Sequence, residues 1–278
     1  MPWDFIGGIH MDNRPIGVFD SGLGGLTVLN EINNLLPLES IVYFGDSGRA
    51  PYGTKSEETV IKYTFQDIRF LLNQDIKMIV IACNTASACS LELVKNNFDI
   101  PVVEVVQPGA VAAVNETKNK RIGVIGTIAT IESGVYEKAI KRLDSAVEVY
   151  SKACPLFVPL VEEGWWDNDI AYKIAQEYMK PLKEKDIDTL VLGCTHYPLL
   201  KNIISKVMGD GVKLVNSALE VAKVVKEVID VKRIERDNTI TPVYRYYTSD
   251  SVKKFESLGN SILNGRIHSA ERVDIERY

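Results

Sequence analysis

The sequence predicts a doubly wound α/β protein made of two pseudo-symmetric domains, with mainly parallel sheets and a ligand site between the domains. Short apolar runs alternate with amphipathic stretches along most of the 278 residues. This alternation is typical of parallel strands with helices on both faces. Two apolar runs end in a cysteine, at Cys83 and Cys194, and similar segments recur in the two halves of the chain. Together these observations favour two related α/β units.

The apolar runs predict strands over 16–19, 41–44, 78–82, 102–105, 122–125, 146–150, 189–193, 213–215 and 244–248. Helical periodicity predicts helices over 57–73, 132–143, 170–182 and 219–229. The polar segment 266–278 has neither pattern, so we expect it to be partly mobile.

Each of the two cysteines follows a strand and precedes small hydroxylated residues. The segments are MIVIACNT at 78–85 and LVLGCTH at 190–196, and helices are expected next, over 87–94 and 198–207. Both thiols should therefore lie at the carboxyl ends of strands, where open α/β sheets bind their ligands. Two thiols that face each other across a cleft would form a two-base site.

An internal sequence repeat suggests the domain organisation. The segment 16–21 (IGVFDS) is similar to the segment 122–127 (IGVIGT). The number of residues that separates these two segments is close to the number that separates Cys83 from Cys194. A Pro-Gly pair at 108–109 marks a crossing between the halves. We predict a first domain of 11–107 plus 217–278, a second domain of 108–216 and an N-terminal extension of 1–10. Chance similarity is the alternative, since Ile-Gly-Val strands are common in α/β proteins.

Composition narrows the possible functions. Hydrophobic residues make up 46% of the chain and charged residues 25%, which is ordinary for a folded globular protein. The net charge is −5 and the basic residues are spread along the chain, which disfavours nucleic acid as a partner. No apolar run reaches the length of about 20 residues that a membrane span requires. We therefore expect a cytoplasmic protein whose four cysteines are mostly free thiols.

A catalytic cysteine needs help to ionise. A helix N-terminus stabilises an anion by roughly 0.3–1 kcal/mol, whereas lowering a thiol pKa from about 8.5 to 7 requires about 2 kcal/mol. His196 is the candidate helper for Cys194. Asp20 is the candidate base for Cys83, although its charge would also raise the pKa of that thiol by repulsion.

Structural interpretations compete with these functional ones. A single buried strand cysteine is usually a small hydrophobe, but two at matching positions favour chemistry. Cys89 and Cys154 lack that context and are expected to be structural. Asp20 could equally cap the next helix.

Cofactor motifs are weak or missing in the sequence. The glycine-rich segment 22–27 (GLGGLT) lacks the third glycine of a dinucleotide-binding loop and the Gly-Lys-Ser/Thr of a P-loop. Its free backbone N–H groups would suit a carboxylate as well as a phosphate. No Cys-x-x-Cys or His-x-x-His spacing occurs, so we expect no metal site.

Four motifs closely resemble the glutamate racemase family: GVFDSGLGG (17–25), APYG (50–53), ACNTA (82–86) and GCTHYPLL (193–200). The similarity also includes FVPLVEEG (157–164) and YTSD (247–250), and spans about 14–250. The resemblance implies a cofactor-independent racemase that interconverts L- and D-glutamate, supplies D-glutamate for peptidoglycan and is a homodimer.

The resemblance also implies roles for individual residues. Cys83 would deprotonate D-glutamate and Cys194 would deprotonate L-glutamate, with Asp20, His196 and Glu162 as further catalytic groups. Substrate contacts are expected from Asp20, Ser21, Pro51, Tyr52, Gly53, Asn84, Thr85, Thr127, Thr195 and His196.

Two other functions stay open at this stage. Aspartate racemases of the same superfamily tend to have Thr-Glu after the second cysteine, whereas this chain has Thr195-His196. A thiol redox sensor or binding protein is the non-enzyme alternative. A sensor requires thiols that can approach each other, whereas a two-base racemase requires substrate between them.

Overall fold

The computed structural model describes residues 11–278. The predicted N-terminal extension, 1–10, lies outside the described residues. The chain forms two parallel sheets, with strand orders β10-β9-β2-β1-β3-β4 and β6-β5-β7-β8. The first sheet contains β1 (Ile16–Asp20), β2 (Ile41–Gly45), β3 (Met78–Ile81), β4 (Val102–Glu104), β9 (Tyr244–Thr248) and β10 (Glu271–Arg272); the second contains β5 (Arg121–Gly126), β6 (Glu148–Ala153), β7 (Thr189–Gly193) and β8 (Lys213–Val215). The predicted α/β class with mainly parallel sheets is confirmed.

Helices cover both faces of each sheet. They are α1 (Leu26–Leu35), α2 (Glu57–Leu72), α3 (Asn84–Asn97), α4 (Val106–Glu116), α5 (Ile128–Glu132), α6 (Val135–Leu143), α7 (Phe157–Glu162), α8 (Asp169–Lys183), α9 (Lys201–Met208), α10 (Ser217–Lys232) and α11 (Val252–Leu263). Helices α1, α10 and α11 share one apolar cluster with the first sheet, and α2 and α3 share another on its opposite face. Helices α8 and α9 cover one face of the second sheet, and α4 and α6 the other.

The two sheets repeat one arrangement that explains where the cysteines lie. In the first sheet β1 lies between β2 and β3, and in the second β5 lies between β6 and β7. The chain therefore leaves each central strand in one direction and later returns on its other side. That reversal is the switch point where doubly wound sheets bind ligands at the carboxyl ends of their strands. Cys83 follows β3 and Cys194 follows β7, so each thiol borders such a point.

The strands of the first sheet come from both ends of the described chain, and those of the second come from the middle. The proposed domain limits at 107/108 and 216/217 stay a prediction. Helix α4 lies at the first of these limits and α10 at the second, and the two helices pack against each other.

Two local expectations were wrong. The segment 266–278 is not loose, because β10 pairs with β9 and the side chain of Ile275 is buried in the apolar cluster that the first sheet shares with α2 and α3. The helix expected over 132–143 is divided into α5 and α6 by Gly134, whose φ of +64° suits glycine. The Pro-Gly pair at 108–109 lies in the first turn of α4, where a missing N–H costs nothing, and the crossing expected there stays a prediction.

Helices α4, α7 and α11 were not predicted, and α1 was expected only as the helix after Asp20, without bounds. Among residues 11–278, no helix is long and apolar enough to cross a membrane.

Candidate active site

Both cysteines lie at the positions that the sequence predicted. Cys83 is the N-cap of α3, and its Sγ accepts a hydrogen bond from the N–H of Ala86 at 3.5 Å. Cys194 follows β7 and precedes a short 3₁₀ turn that leads into α9. Their exposed fractions are 4% and 6%, so both thiols are almost fully enclosed.

The two thiols share one cavity, to which both sheets contribute. Its wall consists of Ser21, Ala50, Pro51, Tyr52, Gly53, Cys83, Asn84, Thr85, Thr127, Val158, Cys194, Thr195 and His196. The free volume is about 10 Å³, which is near the minimum for one water molecule. A larger ligand can enter only if this cavity widens.

Most of the predicted site residues line this cavity, but Asp20 and Glu162 do not. Asp20 lies behind the wall and is fully buried. Its Oδ2 accepts a hydrogen bond from the N–H of Gly22 at 3.0 Å, and its Oδ1 accepts one from the hydroxyl of Thr195 at 3.1 Å. The carboxylate therefore connects the two halves of the site.

The surroundings of Cys83 favour a neutral thiol. Burial, together with the negative charge of Asp20, raises the pKa of Cys83 to about 12. Burial also raises the pKa of Asp20, against the opposing charge of His196. Among the described residues Asp20 makes no hydrogen bond to Cys83; the thiol donates instead to the Ser21 hydroxyl at 3.6 Å. Direct proton transfer from Cys83 to Asp20 thus requires a change in this geometry.

Cys194 has a different neighbour, an imidazole that is paired on both sides. Nδ1 of His196 lies 3.9 Å from Sγ of Cys194, and Nε2 lies 2.8 Å from Oε1 of Glu162. Burial opposes a charge on His196, but its contacts with Cys194 and Glu162 outweigh this and raise its pKa well above the usual value. The pKa of Glu162 is lowered, because the His196 contact outweighs burial. Lys254 extends this series of contacts beyond Glu162, with its Nζ 3.7 Å from Oε2 of Glu162.

Hydroxyl groups meet where the two halves touch. The Oγ1 of Thr85 lies 2.9 Å from that of Thr127 and 3.3 Å from that of Thr130. A Cβ atom at Gly53 would lie only 2.3 Å from Cβ of Thr127, so the glycine permits this close approach. Asn84, the residue before Thr85, accepts a hydrogen bond from the Tyr136 hydroxyl through Oδ1 at 2.6 Å.

The loop before α2 is held in place by hydrogen bonds and ion pairs with charged side chains. The Tyr52 hydroxyl donates to the carboxylates of Asp46 and, at 2.8 Å, Asp67. Arg49 pairs with the same two carboxylates, at 2.7 and 2.9 Å. Burial and the charge of Asp46 raise the pKa of Asp67 well above its usual value, although Arg49 opposes this. Tyr52 therefore lines the cavity, while its hydroxyl positions the loop.

This chain is similar to known proteins over nearly its full length. The profile of the Asp/Glu/Hydantoin racemase family matches residues 16–225. A glutamate racemase of Geobacter metallireducens is 49% identical over 276 residues, which cover 99% of this chain and 98% of that protein. This chain belongs to the glutamate racemase family.

Solved glutamate racemases have the same architecture. An isoform from Bacillus anthracis superposes with a TM-score of 0.90 at 43% identity, covering 96% of this chain and 98% of that one. The Francisella tularensis glutamate racemase, solved in complex with D-glutamate, also has a TM-score of 0.90, at 40% identity and 96% and 100% coverage. An aspartate racemase from Picrophilus torridus has a TM-score of 0.56 at 16% identity, a likeness of fold alone.

Several residues around this racemase-family site were not identified from the sequence. Asp46, Asp67, Thr130, Tyr136 and Lys254 all contact predicted site residues through side chains. None lies beside a cysteine motif in the chain, so motif spacing gave no signal for them. Only the position of Asp46 directly after a buried strand, β2, could have drawn attention to it.

The other two cysteines lie outside the cavity. All four cysteines are free. Cys154 is buried and accepts a hydrogen bond from the Tyr197 hydroxyl through its carbonyl oxygen, which fits a structural role. Within residues 11–278, no group of three or more His, Cys, Asp or Glu side chains has the arrangement of a metal site.

Proposed function

We propose that this member of the racemase family interconverts L- and D-glutamate without a cofactor, with Cys83 and Cys194 as the two bases. The main support is that one narrow cavity has a thiol from each half of the molecule in its wall. Inversion at a carbon atom needs a proton acceptor on one face and a proton donor on the other. Two enclosed thiols from opposite halves fit that requirement.

The reaction would proceed in two proton transfers. The Cys194 thiolate removes the α-proton of L-glutamate, and the electron pair stays on the substrate as a carbanion. The Cys83 thiol then donates its proton to the opposite face, which gives D-glutamate, a Cys194 thiol and a Cys83 thiolate. The reverse reaction starts from that state.

The charges around the thiols support this assignment for the free enzyme. The His196 imidazolium beside Cys194 favours a thiolate there. A pKa of about 12 keeps Cys83 protonated at neutral pH. The resting enzyme would therefore hold one proton on the thiol pair, as a two-base racemase requires.

Substrate would be held by the hydroxyl and N–H groups in the cavity wall. Ser21, Thr85, Thr127 and Thr195 supply hydroxyls, and the amide nitrogen of Asn84 is buried with no partner in the part of the protein that the structure describes. Such preorganised donors stabilise the negative charge that develops on the substrate as the α-proton leaves. His196, Gly53, Pro51 and the ring of Tyr52 would complete the contacts, and Asp20 would act from behind the wall.

The remaining expectations from the family resemblance are also proposals. They are the supply of D-glutamate for peptidoglycan synthesis, a homodimeric assembly and a cytoplasmic location.

Substrate identity is tested by comparing the initial racemisation rates of L-glutamate and L-aspartate by polarimetry at neutral pH. We expect glutamate to turn over much faster. Faster turnover of aspartate would overturn the assignment.

A further inference from the structure

Tyr136 is a buried tyrosine of the second half that contacts both cysteine motifs. It lies in the first turn of α6, and 2% of the residue is exposed. Its hydroxyl donates to Oδ1 of Asn84, the residue that follows Cys83, at 2.6 Å. It is not part of the cavity wall, so any effect on the substrate must pass through another residue.

The ring of Tyr136 fits closely against two glycines. A Cβ atom at Gly193 would lie 3.0 Å from Cε2 of the ring, and one at Gly109 would lie 3.3 Å from Cε1. Gly193 immediately precedes Cys194. One rigid side chain thus joins the backbone before the second thiol to the side chain after the first.

The hydrogen bond from Tyr136 also sets the direction of the Asn84 amide. Because the hydroxyl donates to Oδ1, the amide nitrogen faces elsewhere, and Nδ2 is buried without a protein partner within residues 11–278. Asn84 lines the cavity. A buried N–H group with no acceptor is unfavourable until a ligand supplies one, and a carboxylate oxygen is the acceptor that glutamate would bring. Burial raises the pKa of Tyr136, so the phenol stays protonated at neutral pH and keeps the proton that it donates to Oδ1.

We propose that Tyr136 is a positioning residue that orients the Asn84 amide nitrogen toward a substrate carboxylate. The proposal rests on the proposed function, because it assumes that Asn84 binds glutamate. In this proposal Tyr136, from the second half of the molecule, orients the substrate-binding side chain of Asn84 in the first half.

The test is a double-mutant cycle with Tyr136→Phe, Asn84→Ala and the double variant, with kcat and KM measured separately for L-glutamate. We expect each single variant to raise KM about tenfold, with kcat changed less than about threefold. If Tyr136 acts through Asn84, adding Tyr136→Phe to Asn84→Ala leaves KM within about twofold of the Asn84→Ala value. Tyr178→Phe is the matched control, since its hydroxyl accepts from the N–H of Leu156, away from the cavity; its KM should be unchanged.

The role of Tyr136 would be overturned if Asn84→Ala raised KM and Tyr136→Phe did not. Additive effects on KM in the double variant would also overturn it. Either result would leave the proposed function intact. A parent enzyme with no glutamate racemisation would overturn the proposed function itself.

Asn84→Asp tests the orientation without changing the tyrosine. The new carboxylate still accepts from Tyr136, but it replaces the amide nitrogen with an anionic oxygen. We expect a larger increase in KM than for Asn84→Ala. An equal or smaller increase would contradict the proposed orientation.

Discussion

The two thiols occupy equivalent places in the two sheets, but their electrostatic surroundings are opposite. Cys83 lies near a buried carboxylate, Asp20, and its hydrogen-bond acceptor is the neutral hydroxyl of Ser21. Cys194 lies beside His196, whose positive charge is supported by the Glu162 carboxylate, and Lys254 contacts that carboxylate farther out. Similar topology thus places two identical side chains at equivalent positions, beside neighbours of opposite charge.

This difference suits a reaction that needs one acid and one base at once. Two thiols in identical surroundings would tend to be both protonated or both ionised at a given pH. A negative neighbour on one side and a positive neighbour on the other favour the mixed state. During turnover the proton moves to the other thiol, so Asp20 and His196 must tolerate both states.

Removing either thiol should have the largest effect. We expect Cys83→Ser and Cys194→Ser each to lower kcat for racemisation by a factor of about 10²–10⁴, since that is the usual contribution of a positioned base or acid. Exchange of the α-proton with deuterated water, followed by NMR, should fall sharply in both variants. Cys89→Ser is the control, because Cys89 lies outside the cavity. Full racemase activity in Cys83→Ser or Cys194→Ser would rule out the two-thiol mechanism.

Replacing His196, the charged partner of Cys194, should have the second largest effect on activity. We expect His196→Asn to lower kcat/KM by about 10–100-fold, which corresponds to loss of a hydrogen bond to a charged group worth about 1.5–3 kcal/mol. In the parent enzyme the pKa of His196 is raised, so activity that depends on the imidazolium should decline only at a pH well above 6.5. A decline centred at 6.5 or below would contradict a protonated His196.

The same pKa shift links His196 to stability. Because the pKa is higher in the folded state than in the unfolded chain, the stabilising contribution is fully present below about 6.5 and is lost as pH rises through the folded-state value. The difference in unfolding free energy between parent and His196→Asn, from urea titrations, should therefore shrink toward alkaline pH. A difference that grows with pH would show that the sign is wrong.

Lys254 should have the smallest effect. Its side chain is 52% exposed and its Nζ lies 3.7 Å from Glu162, and such exposed pairs contribute about 0.2–1 kcal/mol. We expect Lys254→Met to reduce kcat/KM by at most about fivefold, with the deficit smaller at high salt. The neighbouring Lys253→Met should have no effect. Equal losses in both variants would mean that net charge, rather than this ion pair, is responsible.

Sequence was sufficient for the features that depend on local pattern. The strands and the positions of Cys83 and Cys194 follow from apolar runs that end in polar residues. The helical Pro108 segment and the ordered C-terminal tail were missed, since packing against other parts of the chain decides both. The contacts of Tyr136 and Lys254 could not be predicted, because they join residues far apart in the chain.

The opposite protonation of the two thiols can be measured directly by alkylation. The free enzyme is treated with iodoacetamide between pH 6 and 9, and the modification rate of each cysteine is read by peptide mass spectrometry. Both thiols line the same cavity with similar exposure, so access is matched and the thiolate fraction decides the rates. Faster modification of Cys194 than of Cys83 at neutral pH is the expected result. Equal rates, or faster modification of Cys83, would contradict the assignment of the thiolate to Cys194.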